Sequence, residues 1–233
     1  MKKLIVLTGA GMSAESGIAT FRDSGGLWEK HRVEDVATPR AWRENRALVL
    51  DFYNQRRRQL ISAKPNAGHA LLSGLQKDFD VRIITQNVDD LHERAGSRQV
   101  LHLHGELMKA RSSGPDQTVF DIDPQNPDIR PGDKSPLGCQ LRPHVVWFGE
   151  DVPNIREAAR LVSQADILLI IGTSLKVFPA AGLVDRAPLQ APVYLIDPGE
   201  IPPLPTFLHF IQETAANGLR IFIENYLYPK ERS

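Results

Sequence analysis

The sequence predicts an α/β fold: a parallel sheet with helices on both faces, plus a smaller lobe formed by two insertions. Three observations predict it. Short apolar runs recur at residues 4–7, 81–85, 100–103, 145–147, 167–171 and 193–196. They are continuously apolar rather than alternating, as strands covered on both faces are. Helix-like segments at 67–79, 88–95, 155–164 and 178–185 lie between many of these runs, the alternation that builds a parallel sheet.

The first run follows Met1-Lys2-Lys3 and so imitates the opening of a secretory signal. It stops at Thr8-Gly9, and Glu15 follows without a cleavage segment, so it reads as a buried first strand. Gly9-Ala10-Gly11-Met12-Ser13-Ala14 then satisfies the G-x-G-x-x-G/A pattern. Glycines there permit a tight turn and let a pyrophosphate approach the backbone, while the next helix offers oriented N–H donors. This makes the sheet Rossmann-like. The acidic residue expected about 20 residues on is missing, and Thr20-Phe21-Arg22-Asp23-Ser24-Gly25-Gly26-Leu27-Trp28 stands in its place. An ordinary dehydrogenase therefore loses ground.

Residues 31–66 read as helical and arginine-rich, and 107–143 hold Pro115, Pro124, Pro127, Pro131 and Pro136. A stretch of that length is too long for an idle loop. The expected division is a Rossmann-like nucleotide-binding domain of 1–30, 67–106 and 144–233, with 31–66 and 107–143 together forming the small domain across a cleft.

Ligands in such sheets sit at the carboxyl ends of the strands, and polar clusters occur there. Gln86-Asn87-Val88-Asp89 sets two amides and a carboxylate after the run 81–85. These can hold a ribose hydroxyl, a water or a carboxamide, or simply cap a helix. His102 and His104 alternate along one strand, so their side chains share a face. No third ligand or cysteine pair accompanies them, which argues against a metal. His104, at the strand end, suits a general base near neutrality, whereas His102 reads as a hydrogen-bonded core histidine. Gly172-Thr173-Ser174 and Asp197-Pro198-Gly199 follow two further runs; both can take phosphate or ribose oxygens, and the second can equally be a turn.

Composition excludes several classes. Lys+Arg and Asp+Glu are 28 each, so no basic excess points to nucleic acid. No apolar run is long enough to span a bilayer. Cys139 is the single cysteine, which rules out an internal disulfide or a multi-cysteine metal site and suits a cytoplasmic setting. No nucleic-acid or membrane partner is expected, and the chain is expected to be a monomer.

Read in order, GAGMSAESGIATFRDSGGLW (9–28), QNVDDLHERAG (86–96), HLHGE (102–106), RPHVVWFGE (142–150) and GTSLKVFPAA (172–181) resemble the sirtuin family of NAD-dependent protein lysine deacylases. The resemblance runs across nearly the whole chain. It implies removal of acyl groups from lysine, with NAD as co-substrate and nicotinamide and O-acyl-ADP-ribose as products. It implies that Gly9, Ala10, Gly11, Ser13, Ala14, Thr20, Phe21, Arg22 and Trp28 hold the pyrophosphate side of NAD. Gln86, Asn87 and Val88 would lie along the nicotinamide ribose, and Asp89 at the carboxamide. Gly172, Thr173, Ser174, Asp197, Pro198, Gly199 and Ala215 would take the adenosine half. His104 would be the general base, with Asn87 beside it in catalysis. Val146, Trp147, Phe148, Gly149 and Glu150, with Leu175 opposite, would flank an acylated-lysine peptide added as a strand between two edges.

Tyr53 and Arg56 stand three apart in a helical stretch and share a face. On spacing alone they are part of a solvated basic face beside Arg57 and Arg58. Similarity to the subclass whose Y-x-x-R pair reads malonyl-, succinyl- or glutaryl-lysine makes them a carboxylate clamp, with acetyl-lysine as a further substrate. Most members also carry a structural zinc on four cysteines in the interval corresponding to 107–141. Here Ser112 stands where the first would be and only Cys139 remains, so no zinc is expected. The lobe would then be held by packing of Val119, Phe120, Ile122, Ile129 and Leu137. ADP-ribosyl transfer or NAD glycohydrolysis, and a non-catalytic NAD- or ADP-ribose-binding module, remain as competing readings.

Overall fold

A computed structural model describes residues 1–18, 31–199 and 208–229. Six parallel strands form the main sheet: β1 (Lys3–Thr8), β2 (Asp80–Thr85), β3 (Val100–His102), β7 (Ile167–Ile171), β8 (Val193–Ile196) and β9 (Leu208–Ile211). Their spatial order is β3-β2-β1-β7-β8-β9, so the chain reverses direction across the sheet between β1 and β7. Ligand crevices open at that point, outside the strand ends. Three antiparallel strands, β4 (Gly105–Ser112), β5 (Val119–Asp121) and β6 (Leu141–Val145), form a second sheet in the order β5-β4-β6.

The unbroken apolarity of β1 has a direct structural cause. Leu4 and Val6 enter one core with Leu72, Leu169, Ile196, Leu219 and Phe222, whereas Ile5 and Leu7 enter another with Ile84, Leu168, Ile170 and Leu195. Helices α5 (Ala67–Gly74) and α8 (Ala215–Phe222) cover the first face, and α7 (Ile155–Val162) with a 3-10 segment, Ala180–Arg186, covers the second.

The insertion 31–66 folds as α2 (Val33–Val36), α3 (Pro39–Glu44) and α4 (Arg46–Ser62). Local chemistry places the helix starts. The Thr38 hydroxyl accepts from the Ala41 N–H with Pro39 at the first helical position, and Asn45 Oδ1 accepts from the Leu48 N–H. Phe52, Tyr53 and Leu60 of α4 share a core with Leu107, Ala110, Ile129, Val145 and Trp147, so the two insertions fold on one another.

Some expected elements differ. The apolar run at 145–147 is not a strand of the main sheet; it begins where β6 of the small sheet ends. The helix expected at 88–95 is one turn, α6 (Leu91–Arg94), because the preceding residues are spent on a hydrogen-bonded turn. Helix α1 (Gly11–Ala14) is also one turn long, so donors after β1 come from the turn itself rather than from an extended helix. Packing of the small lobe differs as well. Ile129 is buried and Ile122 packs beside it, but Val119 and Leu137 are exposed; β5 is an edge strand and Leu137 lies outside the strands. Among the described residues no helix is long and apolar enough to cross a membrane.

Candidate active site

Four strand ends converge. After β1, the Gly9 N–H donates to the Ile171 carbonyl and the Gly11 N–H to the Gly172 carbonyl, both at 2.9 Å. The turn after β1 therefore rests on the turn after β7 through main chain alone. A Cβ on Gly9 would lie 2.7 Å from the Gly172 oxygen, and one on Gly11 2.7 Å from the Gly172 Cα. Gly172 itself has φ of +62°. Bare main chain at adjoining strand ends is what a pyrophosphate needs in order to approach backbone N–H groups closely, so these residues fit a dinucleotide. Of the other sequence-expected residues here, Thr20, Phe21, Arg22 and Trp28 lie outside the described residues.

After β2, Asn87 is held from several sides. Its N–H donates to Thr85 Oγ1 at 3.0 Å and its Nδ2 to Ser13 Oγ at 3.1 Å, while Ser13 Oγ donates to Asp89 Oδ2 at 2.9 Å. Ser13, Asn87 and Asp89 are all buried. Asp89 Oδ1 also accepts from the Leu91 N–H at the start of α6. One carboxylate thus accepts from the first N–H of α6 and also anchors the Ser13–Asn87 pair. Burial raises the Asp89 pKa, although the Ser13 and Leu91 hydrogen bonds oppose it. The Val88 carbonyl is taken by the Leu107 N–H at 2.7 Å, which ties this turn to the small lobe. Gln86 Nε2 donates to Thr173 Oγ1 at 3.2 Å, linking the turns after β2 and β7.

The H-x-H pair grips successive carbonyls of this turn. His104 Nδ1 lies 2.9 Å from the Gln86 oxygen and His102 Nδ1 3.1 Å from the Asn87 oxygen. A carbonyl only accepts, so Nδ1 of His104 carries the hydrogen and Nε2 keeps its lone pair in the neutral ring. Burial lowers the His104 pKa against the opposing Gln86 bond, which keeps the basic form populated at neutral pH.

After β8, Asp197 Oδ1 accepts from the Gly199 N–H at 2.9 Å, closing a turn around Pro198. Ala215 is buried as the first residue of α8. Sequence reasoning missed its neighbour Glu15: Oε2 accepts from the Ala216 N–H at 2.9 Å and Oε1 from the Thr214 hydroxyl at 3.3 Å. An acidic residue at a helix start is a familiar signal, but this one comes from the far end of the chain.

On the small-lobe side, Phe148 and Gly149 are exposed while Trp147 is buried. Glu150 accepts from Arg142 Nη1 at 2.7 Å, Arg111 Nη2 at 3.1 Å and the Trp147 N–H at 2.8 Å. Burial alone would raise the Glu150 pKa; the two arginines and the Trp147 N–H hold it below its ordinary value. Trp147 and Glu150 therefore fix the shape of the segment that presents Phe148. The Val146 N–H donates to the His104 carbonyl at 2.9 Å, coupling that segment to the histidine. Leu175, in the segment after β7, is half-buried and has φ of +54°.

Tyr53 is buried, and its hydroxyl oxygen accepts from Trp147 Nε1 at 3.1 Å. That leaves the Tyr53 hydroxyl hydrogen to donate elsewhere. The Arg56 guanidinium sits 5.7 Å from the centre of the Tyr53 ring and feels the Asp89 charge. Arg57 contradicts the solvated-face reading of this helix. It is fully buried, donating from Nε to the Leu107 carbonyl and from Nη1 to the Pro127 carbonyl, both at 2.7 Å. Asn54 beside it pairs twice with the Ile129 main chain, at 2.9 and 3.0 Å.

In the 107–143 interval, Ser112 Oγ donates to Asp116 Oδ1 at 2.7 Å, and the Ser135 N–H donates to the Cys139 carbonyl at 2.8 Å. Ser112 also lies 3.3 Å from Ser135 Oγ. Among the described residues, no group of three or more His, Cys, Asp or Glu converges as a metal site would require. A single thiol among hydroxyls does not match the sulfur- and imidazole-rich ligand sets of structural zinc.

Comparisons with known proteins agree on one family. The model of the Sir2 family matches residues 9–179. The chain is 54% identical over 226 residues to an NAD-dependent protein deacylase of Bacteroides thetaiotaomicron, covering 94% of this chain and 95% of that protein. It is 59% identical over 195 residues to one from Aggregatibacter actinomycetemcomitans, covering 83% and 92%. A crystal structure of a Sir2 homolog–NAD complex superposes with a TM-score of 0.84 at 40% identity, covering 94% of this chain and 86% of that one.

Proposed function

The chain belongs to the Sir2 family, and we propose that it removes acyl groups from lysine side chains in proteins with NAD as co-substrate, favouring succinyl and malonyl over acetyl. The observation that carries the chemistry is His104, half-buried beside the Asn87 turn with Nδ1 committed to the Gln86 carbonyl and Nε2 available as a base. The residues that would hold NAD are Gly9, Ala10, Gly11 and Ser13 with Gln86, Asn87 and Asp89 towards the nicotinamide, and Gly172, Thr173, Ser174 and Asp197 towards the adenosine. Bound NAD supplies the electrophile, the ribose carbon from which nicotinamide leaves. The protein's own part is to orient, exclude water and accept at His104 Nε2 a proton from a ribose hydroxyl.

The acidic-acyl preference is supported by α4. Tyr53 has a hydroxyl hydrogen to give, Trp147 fixes its oxygen, and the Arg56 cation lies along the same face. A carboxylate at the end of an acyl chain accepts from both. Mass-spectrometric turnover of matched succinyl- and acetyl-lysine peptides tests this. Arg56→Met is expected to lower desuccinylation by about 10- to 100-fold, the worth of a hydrogen bond to a charged group, and to change deacetylation by only a few-fold. Faster deacetylation than desuccinylation by the unaltered protein would refute the preference. NAD consumption that ignores the peptide would favour glycohydrolysis instead.

The small lobe is proposed to fold without structural zinc, held by α4 rather than by metal. Dialysis against a strong chelator should leave the melting temperature unchanged, and elemental analysis should find no stoichiometric metal. A clear drop in melting temperature would overturn this.

A further inference from the structure

His102 ends β3 two residues before His104, is buried, and has a partner on each ring nitrogen. Nδ1 faces the Asn87 carbonyl oxygen at 3.1 Å, and Nε2 faces Glu93 Oε1 at 2.9 Å. A carbonyl oxygen and an ionised carboxylate are both acceptors only. A neutral imidazole carries one N–H and can satisfy one of them; the imidazolium satisfies both. We propose that His102 is held as an imidazolium between Glu93 and the Asn87 main chain, and that this clamp is a positioning device for Asn87 in the deacylation. The inference rests on the function proposed above.

The argument runs through the other bonds of Asn87. Its N–H is fixed by Thr85 and its side-chain amide by Ser13, so the carbonyl is the remaining handle on the orientation of this residue. Asn154 Nδ2 donates to the His102 carbonyl at 2.8 Å, which fixes the strand end from which the ring acts. A ring that loses its second proton keeps only one of these bonds: if it stays with Glu93 the Asn87 carbonyl is released, and if it stays with Asn87 the ring is no longer held from its far side.

The surroundings favour the cation. Glu93 and His92 face it from α6, Glu106 from β4 and Asp89 from the turn after β2. Burial disfavours the charge, but Glu93 and Glu106 outweigh burial and raise the His102 pKa. His92 is pushed down to about 3 by burial and by its histidine neighbours, so it stays neutral and accepts the arrangement. The sign for activity follows. The clamp is intact below the raised His102 value and is lost as pH rises through it. His104 has a lowered value, so its basic form is gained as pH rises from the acid side. Two histidines, one at the end of β3 and one just beyond it, thus set opposite limbs of the profile, His104 the acidic and His102 the alkaline.

The test has two arms. In the first, kcat and KM are measured across pH for the unaltered protein and for Glu93→Leu, which removes the charge and offers Nε2 neither a donor nor an acceptor. The variant should move the alkaline limb of kcat down by roughly one to two pH units, as removal of a close opposite charge does. Its acidic limb should stay in place, and at alkaline pH kcat should fall about tenfold or more while KM for NAD changes little. An alkaline limb that does not move overturns the proposal. In the second, imidazole nitrogen NMR follows His102 in the unaltered protein, with ADP-ribose binding as a check on folding of the variant. A doubly protonated ring at neutral pH is expected, and a neutral ring overturns the clamp whatever the variant does. Absence of deacylation by the unaltered protein would refute the proposed function instead, and leave the NMR result to judge the clamp by itself.

Discussion

Replacing His104 with alanine is expected to lower deacylation turnover by about 10²–10⁴-fold, the usual worth of a positioned proton-transfer group. Binding of ADP-ribose should survive, because the glycine turns and the Ser13–Asn87–Asp89 chain do not run through the histidine side chain. The substitution also strips the Gln86 carbonyl of its donor, so His104→Gln, which can restore a donor without a comparable base, separates the two effects. If turnover collapses equally in both while calorimetric ADP-ribose affinity holds, the loss is one of proton transfer. Turnover within threefold of the unaltered protein would remove His104 from the chemistry. The pH profile carries the same information: activity should fall on the acid side, as protons occupy a ring whose pKa burial has lowered.

Arg57→Ala carries the largest expected effect on stability. The side chain is fully buried and donates to the Leu107 and Pro127 carbonyls and to Asn54 Oδ1. Truncation leaves two main-chain carbonyls without their donor and opens a void where the lobe meets α4. Hydrogen bonds from a charged donor contribute about 1.5–3 kcal/mol each and are not additive, so a loss of about 3–5 kcal/mol is expected. For a chain of this size that lowers the melting temperature by roughly 10 °C. The guanidinium pKa is depressed by burial to about 10, so it is charged at neutral pH and the bonds are charge-assisted. Arg58→Ala is the contrast. Arg58 pairs with Asp128 at 2.6 Å on the surface, where such pairs contribute below about 1 kcal/mol. Equal destabilisation by the two variants would refute the assignment of Arg57 as the pin between helix and lobe.

The legible parts of the chain were those where sequence-local chemistry and long-range packing agree. Strands β7 and β8 stand where their apolar runs were read, since residues buried on both faces leave no ambiguity of period. The turn residues at all four strand ends were legible for the same reason. Strand β9 was missed because it is a four-residue edge strand whose apolar run is interrupted by His209, with His209 and Phe210 exposed. Helix α8 was missed because Gly218 interrupts it. A Cβ there would fall 2.2 Å from Ile196 Cγ2, so the glycine is required by close approach to β8 although it weakens the helix locally. The pairing of Asn54 with Ile129 and the burial of Arg57 join segments far apart in sequence, and neither residue type advertises burial. Glu93 and His102 were likewise unreadable as a pair, since α6 and β3 meet only in the folded chain.

The contact between the turn after β1 and the turn after β7 bears on how relatives can be recombined. Gly9 and Gly11 on one side and Gly172 on the other leave no room for a Cβ, so the two turns behave as a single inherited part although they lie in opposite halves of the chain. A chimera with one breakpoint between them takes each half of that part from a different parent. Such a hybrid keeps the paired turns only where one parent supplies glycine at 9 and 11 and the other at 172. Loop grafts aimed at altered cofactor affinity should therefore carry both turns from the same donor.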